Sequence, residues 1–484
     1  MLSKTLNKYK SLPVQIKASF WFLLCSFMQK GISTITTPIF TRLLTTAEYG
    51  NYNVFNSWLG IVTIFVSLNL SWGVYAQGLV KFENERKAFS SSLQGLTVLL
   101  VSVWTIIYLV TRVFWNKLLS LTTVQMLAML VMIWTSSVFH FWSAEQRVEY
   151  KYKLLVTVTI LVSLAKPIIG IFLVSHAEDK VTARILGLVL VELVAYVWLF
   201  ILQMYRGKKI FIKKFWLHAL AFNIPLIPHY LSQTILNSAD RIMIRDMVDE
   251  SSAGIYSLAY SISLIMTLFN NALGQTLSPW IYKKINIKQI KDISKIAYAS
   301  LVLIGACNIV LIAFAPEAVA IFAPKTYYQA IWVIPPVAMS VYFMFAYDLF
   351  AKFEFYYEKT KLIALATVLV AALNIILNYI FIKVFGYYAT AYTTLVCYVL
   401  YAIFHYCAMR KVCRNELDKV YPYDTKILLS ITCGFLILGF VFLVLYNNIV
   451  LRYIFIVFLI LIVIIKRGWI TSTIEIFLSI KKNN

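Results

Sequence analysis

Charged residues are scarce in this chain. They make up 13% of its 484 residues, whereas soluble domains carry roughly 25%. Hydrophobic residues account for 61% of the chain, and one soluble core of this length cannot hide that much apolar surface. The composition therefore excludes a large soluble helical protein and indicates a chain embedded in a membrane.

Motifs for catalysis and for nucleotide binding are absent from the sequence. It contains no GxxxxGK(S/T) phosphate loop and no HxxxH or HExxH pair. Its six cysteines form no cluster with metal-ligand spacing. No segment between the apolar runs is long enough for a nucleotide-binding domain. The sequence therefore predicts a transporter without a cofactor or a bound metal, and not an enzyme.

Apolar windows of about 20 residues, the length that a helix needs to cross hydrocarbon, recur along the chain. We interpret them as helices, because a backbone in lipid must satisfy its own hydrogen bonds. The expected fold class is an all-α polytopic membrane protein with about 14 transmembrane helices, 12 being the alternative count. The windows are 18–38, 51–74, 91–111, 122–143, 154–175, 184–204, 216–237, 252–275, 296–315, 327–350, 361–382, 387–409, 427–446 and 449–466.

Basic residues indicate how these helices are oriented. With a cytoplasmic N-terminus, 32 of the 44 Lys and Arg fall in cytoplasmic segments, 10 in outer segments and two inside spans. This bias follows the positive-inside rule and predicts that both termini are cytoplasmic. The net charge of +23 is then an orientation signal that contacts anionic membrane lipids. No nucleic-acid partner is needed to explain it.

Two stretches of the sequence resemble each other. They are PIFTRLLTTAEYGNYNVFNSW at 38–58 and ADRIMIRDMVDESSAGIYSLAYS at 239–261. Each ends a span, passes through a polar loop and begins the next span with Gly-x-Tyr. An even number of spans separates them, which predicts parallel repeats with the substrate between the halves. The expected domains are a six-helix bundle over 1–215, a second over 216–410, and two further helices with a cytoplasmic tail over 411–484.

The first stretch resembles the amino-terminal signature of bacterial polysaccharide repeat-unit flippases, and the second resembles the connection between their seventh and eighth spans. These flippases belong to the multidrug/oligosaccharidyl-lipid/polysaccharide exporter (MOP) superfamily. The resemblance implies two six-helix bundles that work by alternating access in the bacterial cytoplasmic membrane. It also implies the substrate, an undecaprenyl-diphosphate-linked oligosaccharide for O-antigen, capsule or exopolysaccharide synthesis. Polysaccharide polymerase machinery is a further partner that the resemblance suggests.

A diphosphate that crosses a low-dielectric cavity calls for cations. Lys30 and Lys166 are the two lysines inside predicted spans, and Pro167 is expected to kink the helix that carries Lys166. Helical spacing places a polar stripe beside Lys30. The predicted cavity residues are Lys30, Lys166, Gln29, Ser33, Thr34 and Thr37. The alternative for each lysine is a structural ion pair or a side chain that reaches the interface.

Acidic residues inside the predicted spans are candidates for coupling transport to H⁺ or Na⁺. Glu192 and Asp348 are the two that the windows contain. A carboxylate in hydrocarbon is neutralised by a proton, a cation or a base. An ion pair with Lys30 or Lys166 is therefore the alternative to a coupling role.

The charged cluster after the seventh span suggests an outer gate. Arg42 in one half and Asp240, Arg241 and Arg245 in the other would form part of a gate that closes in the inward-facing state, and the second group would lie on a short amphipathic helix. Asp249 or Ser251 is expected to cap the helix that follows. The alternative is an exposed loop with weak ion pairs. Pro225 and Pro228 predict a bend in the seventh span.

Two other transport functions remain open at this point. A multidrug exporter of the same fold, driven by Na⁺ or H⁺, would carry cationic substrates and would need acids in its cavity. A flippase for lipid-linked peptidoglycan precursors would share a cationic cavity. The intramembrane lysines favour an anionic substrate over a cationic drug.

Overall fold

A computed structural model describes residues 13–465, with the side chain of residue 360 excepted. Within that range the chain forms α-helices and short 3₁₀ helices, without a strand. The α-helices are numbered here in chain order. They are α1 Val14–Leu43, α2 Thr46–Ser67, α3 Val74–Lys81, α4 Arg86–Val110, α5 Arg112–Leu119, α6 Thr123–Val148, α7 Tyr152–His176, α8 Lys180–Gly207, α9 Lys213–Asn223, α10 Ile227–Met247, α11 Glu250–Ser263, α12 Thr267–Asn286, α13 Ile293–Ala313, α14 Ala315–Phe322, α15 Ile334–Tyr356, α16 Thr360–Phe385, α17 Tyr388–Glu416, α18 Thr425–Leu445 and α19 Ile449–Ile465.

Ten helices between residues 13 and 465 are long and apolar enough to cross a membrane. They coincide with ten of the predicted windows. The first two windows are helical as α1 and α2, but they fall outside this set because polar residues, such as Lys30 in α1 and Asn53 in α2, lower the mean hydropathy of each helix. The last window is the shorter apolar helix α19. The all-helical membrane fold is confirmed, whereas the count of 14 stays a prediction.

The seventh predicted window is not one continuous helix. A 3₁₀ turn at Ile224–Leu226 separates α9 from α10, as Pro225 and Pro228 predicted. The expected short amphipathic helix after this window does not exist, because the residues of the charged cluster up to Met247 form the last turns of α10. The chain divides into two compact units within this helix. Unit 1 is Met1–Ser238 and unit 2 is Ala239–Asn484.

In unit 1 the helices pack around α8. Helices α4, α6 and α7 lie against it, and α1 lies against α7. Two glycines allow the close approach of α7 and α8, since a Cβ atom on Gly187 would lie 3.2 Å from the Cα atom of Gly170. This packing brings polar positions of α1, α7 and α8 together inside the unit.

In unit 2 the most buried helix is α15, which packs against α11, α13 and α17. Helix α16 lies against α17, and α18 lies against α13. Most side chains of α15 are buried, including Tyr342, Leu349 and Glu354. A helix that is surrounded in this way places most of its polar side chains against other parts of the protein and not against lipid.

The two similar sequence stretches have the same local structure. Helix α1 ends at Leu43, and the Thr45 side chain caps α2 by accepting a hydrogen bond from the backbone N–H of Glu48. Helix α10 ends at Met247, and Asp249 caps α11 by accepting from the N–H of Ser252 at 2.7 Å. Of the two expected caps, Asp249 and Ser251, the structure shows Asp249 at the N-cap position. In each stretch the helix break and the cap lie at matching places in the motif.

Candidate functional site

Unit 1 contains a partly open polar cavity of about 230 Å³ between α1, α2, α7 and α8. Its polar wall combines two cations with amide and hydroxyl groups. These side chains are Gln29, Ser33, Thr36, Ser163, Lys166 and Arg184. Phe40, Tyr52 and Tyr196 form an aromatic wall. A mixed lining of this kind, with a few polar groups among apolar ones, is typical of a ligand site.

Lys166 is held by an ion pair across the seam between α7 and α8. Its Nζ donates to Oε1 of Glu192 at 2.7 Å. The Thr135 hydroxyl donates to the other carboxylate oxygen at 2.6 Å. Glu192 is 3% exposed, whereas the Lys166 side chain is 29% exposed and lines the cavity. The ion pair between two of the predicted residues, which the sequence left as an alternative, is therefore present.

Arg184 is the second cation of the cavity, and the sequence did not single it out. Its guanidinium carbon lies 3.5 Å from the ring centre of Tyr52 and 3.9 Å from that of Phe40. Its Nη1 atom is buried without a hydrogen-bond acceptor. The sequence placed Arg184 at the outer edge of the sixth span, among the ten bases of the outer segments. Only the packing of α8 against α1 and α2 shows that it faces a cavity.

Only some residues of the predicted polar stripe of α1 line the cavity. Gln29 and Ser33 line the cavity. Lys30 is exposed and is not part of the lining, and neither are Thr34 and Thr37. The Thr37 hydroxyl donates to the Ser33 carbonyl at 2.9 Å. The structure thus gathers Gln29, Ser33 and Lys166, while the role of Lys30 stays a prediction.

Asp240 lies at the centre of a buried polar network in unit 2. It is 1% exposed. Its carboxylate accepts hydrogen bonds from the Tyr256 hydroxyl at 2.5 Å, the Asn378 amide at 2.7 Å and the Thr394 hydroxyl at 2.9 Å. The same Asn378 amide also donates to Oδ1 of Asn374 at 3.2 Å, and the hydroxyl of Thr393 donates to Asn378. Between residues 13 and 465 no basic side chain forms a salt bridge with Asp240.

The other predicted gate residues have local partners as well. The guanidinium carbon of Arg241 lies 4.4 Å from the ring centre of Tyr260. Arg245 donates to Asp246 at 2.7 Å. Arg42 is exposed, and its Nη1 donates to the Pro38 carbonyl at 2.8 Å. The gate stays a prediction, but Asp240 is held inside unit 2 and does not form an exposed loop.

The second predicted coupling acid, Asp348, accepts a hydrogen bond from Lys352 one helical turn later at 2.6 Å. The structure also shows buried acids that the sequence windows excluded. Glu354 pairs with His405 at 2.7 Å, and both side chains are 0% exposed. Glu145 accepts from the Gln203 amide at 2.8 Å. Glu145 and Glu354 lie just past the apolar windows, so hydropathy alone placed them in cytoplasmic segments.

Comparison with known families shows which family the chain belongs to. A family model described as "Polysaccharide biosynthesis protein" matches residues 16–285, which is more than half of the sequence. A second model, described as MatE, matches residues 225–380. Lsg locus putative protein 1 of Haemophilus influenzae is 28% identical over 231 residues, which covers 44% of this chain and 56% of that protein. The chain thus spans about half the length of that relative. An uncharacterized membrane protein of the same organism is 21% identical over 378 residues, or 73% of this chain and 87% of the relative.

Solved transporters share the fold at low sequence identity. A MATE transporter of Vibrio cholerae is 14% identical with a TM-score of 0.54, and covers 83% of this chain and 97% of its own. An inward-facing multidrug resistance MATE family transporter of the MOP superfamily is 12% identical with a TM-score of 0.61, and covers 81% and 96%. A MOP superfamily transporter of Pyrococcus furiosus, whose binding pocket is described as having reverse polarity, is 12% identical with a TM-score of 0.55, and covers 82% and 95%.

These matches agree with the resemblance of the two sequence stretches and with the helical architecture. The fold is that of MOP superfamily transporters, and the family match extends over both stretches. The chain belongs to the polysaccharide biosynthesis protein family, and it is a multi-pass integral membrane protein of the bacterial inner membrane.

Proposed function

We propose that this protein moves an undecaprenyl-diphosphate-linked oligosaccharide from the cytoplasmic to the outer leaflet of the inner membrane. The observation that carries the proposal is the charge of the unit 1 cavity. Its lining holds two cations, Lys166 and Arg184. The buried carboxylate of Glu192 already pairs with Lys166. The cavity is therefore cationic, as the transfer of a diphosphate through a low-dielectric protein requires.

The alternative is a cation-coupled multidrug exporter, and the likeness of fold to multidrug transporters suits it equally well. The charge of the cavity argues against it. A cationic drug would meet Lys166 and Arg184 at short range, and like charges repel strongly where water is excluded. A peptidoglycan-precursor flippase would share the cationic cavity. The family match to polysaccharide biosynthesis favours the repeat-unit substrate over that precursor.

Transport would be coupled to the entry of H⁺ or Na⁺ at Asp240. Within residues 13–465 the buried Asp240 carboxylate forms no salt bridge, and such a carboxylate is neutralised by a proton or by a bound cation. Oxygen atoms of Asn374, Asn378, Thr393 and Thr394 lie in the same network, and oxygen is the ligand that hard cations prefer. Glu192 and Asp348 each have a lysine partner, so coupling at either acid would first require that pair to open.

Complementation tests the function. A bacterial strain that lacks its own repeat-unit flippase would express the wild type, Lys166→Ala or Lys30→Ala, with membrane levels measured. Surface polysaccharide and the lipid-linked intermediate are then quantified. We expect the wild type to restore the polymer, and Lys166→Ala to leave intermediate on the cytoplasmic side. Strains with several repeat-unit structures are needed, and failure in all of them would reject the proposal.

A further inference from the structure

The aromatic cage of Arg184 is built by the sequence stretch that identifies the family. Phe40 lies in the last turn of α1 within PIFTRLL, and Tyr52 lies in the first turns of α2 within TTAEYGNYN. The guanidinium of Arg184 lies over both rings. The close packing of α7 also supports Phe40, since a Cβ atom on Gly170 would lie 3.2 Å from Cζ of Phe40. The position of the Arg184 side chain is thus fixed by three other helices.

Stacking on rings uses the faces of a guanidinium and leaves its N–H groups in the plane. At Arg184 one of these groups, Nη1, is buried and has no acceptor. Between residues 13 and 465 no carboxylate forms a salt bridge with Arg184. A buried donor on a charged group is costly unless an acceptor arrives. The arrangement therefore favours a ligand that brings oxygen atoms in the guanidinium plane.

The net charge near the cavity also depends on Arg184. Lys166 and Glu192 neutralise each other at 2.7 Å, so Arg184 supplies the uncompensated positive charge. The Lys166 side chain remains 29% exposed beside it. The hydroxyls of Ser33, Thr36 and Ser163 complete the polar wall. These groups suit an anion that also carries hydroxyl groups.

The size of the cavity limits the ligand. Its volume of about 230 Å³ is below the 300–1,000 Å³ of pockets that hold drug-sized ligands. The cavity is partly open, so one phosphate or diphosphate group, or one acidic sugar ring, fits inside it while the rest of a larger substrate extends outside. The cavity therefore recognises one anionic part of a larger substrate.

We infer that Arg184, held by Phe40 and Tyr52, is the anion-binding residue of unit 1, and that it binds a phosphate or carboxylate group of the transported molecule. The inference rests on the proposed flippase function and names the group that the cavity recognises. Two sources offer this chemistry, the diphosphate of the lipid carrier and the carboxylate of an acidic sugar. In-plane, charge-assisted hydrogen bonds from arginine suit both.

The test uses the purified full-length protein in detergent. Isothermal titration calorimetry measures binding of inorganic pyrophosphate, glucuronate and, as a neutral control, glucose. The variants are Arg184→Gln, which removes the charge, and Arg184→Lys, which keeps the charge without the planar fork. Arg147→Gln is the matched control, because Arg147 is an exposed arginine of unit 1 that also lies over a ring, that of Phe22 at 5.7 Å. Thermal unfolding confirms that each variant is folded.

We expect Arg184→Gln to weaken binding about tenfold or more, since a charge-assisted pair is lost, and Arg184→Lys to weaken it less. Arg147→Gln should bind like the wild type. If pyrophosphate binding depends on Arg184, the group that Arg184 recognises is the diphosphate of the lipid carrier. If only glucuronate binding depends on Arg184, that group is the carboxylate of an acidic sugar. Equal affinity in the wild type and Arg184→Gln, or no binding of either anion to the wild type, overturns the inference. Arg184 would then only fasten α8 to α1 and α2.

Complementation by the wild type separates this result from the proposed function. If the wild type restores the polymer but anion binding does not depend on Arg184, the anion site is rejected and the proposed flippase function stands. If anion binding depends on Arg184 but the wild type restores no polymer, the anion site stands and the proposed flippase function is rejected.

Discussion

Lys166 and Glu192 form a salt bridge between adjacent helices, with Nζ and Oε1 2.7 Å apart, although 26 residues separate them in the chain. Glu192 is almost fully buried and also accepts from Thr135. A carboxylate in this position depends on its partner for stability, because a buried charge without a partner is strongly unfavourable.

Removal of one partner of this salt bridge should therefore lower the free energy of unfolding more than removal of both partners. Lys166→Met leaves the Glu192 charge unpaired, and we expect it to lower the free energy of unfolding by about 1–3 kcal/mol. The double variant with Glu192→Gln should recover most of that loss. Thermal unfolding in detergent measures both effects. Additive destabilisation in the double variant would contradict the pairing.

Asp240→Asn should abolish the response of the protein to its coupling cation. We expect Na⁺, exchanged for K⁺ at constant ionic strength, to raise the melting temperature of the wild type only. A ligand at a hundred times its Kd adds about 2.7 kcal/mol of stability. Asp246→Asn, at a half-exposed aspartate of the same helix, should respond like the wild type. A different result would identify the cation as a proton. In that case a lower pH raises the melting temperature of the wild type, Na⁺ does not, and Asp240→Asn removes the effect of pH.

A retained Na⁺ or acid response in Asp240→Asn would contradict the coupling site. Transport measured in membrane vesicles under imposed Na⁺ and pH gradients provides an independent check. In that assay the variant should lose its dependence on the gradient.

Glycine-to-alanine substitutions should distinguish a glycine at a close contact between helices from a glycine on an open helix surface. Gly187→Ala places a methyl group 3.2 Å from the backbone of Gly170, so α7 must shift from α8 by a few tenths of an ångström. We expect a loss of about 1–3 kcal/mol in stability and reduced transport, because Lys166 moves with α7. Gly31→Ala is the matched control, since a Cβ atom there meets nothing within 4 Å.

The control should unfold at the same or a higher temperature than the wild type, because alanine is favoured over glycine inside a helix. Equal melting temperatures for Gly187→Ala and the wild type would show that the contact between α7 and α8 is dispensable.

The cap of α11 can be tested in the same way. Asp249→Ala removes the acceptor for the N–H of Ser252, and we expect it to cost about 0.5–2 kcal/mol. Asp249→Ser keeps a capping oxygen and should stay close to the wild type. Glu250→Gln is a control for charge at the neighbouring position. Unfolding by heat, followed by circular dichroism, distinguishes the three variants.

The sequence predicted the features that depend on local patterns. Apolar windows located most of the membrane helices, Pro225 and Pro228 located the break between α9 and α10, and Asp249 was one of two expected caps. Each of these features depends on residues a few positions apart.

The contacts of the candidate sites depend on distant residues. Asn378 reaches Asp240 across 138 positions, and Arg184 meets Phe40 and Tyr52 only through helix packing. Hydropathy also cannot tell an acid just past an apolar window from a solvated one. Glu354, which is fully buried against His405, was missed for that reason.

The cage around Arg184 has a consequence for the evolution of the family. An arginine between two rings gains from both of them, so loss of the cation removes the selective reason to keep Phe40 and Tyr52 aromatic. The three positions should therefore vary together among related exporters. Lineages that have turned to cationic cargo should have replaced all three, and lineages with anionic cargo should have kept them as a set.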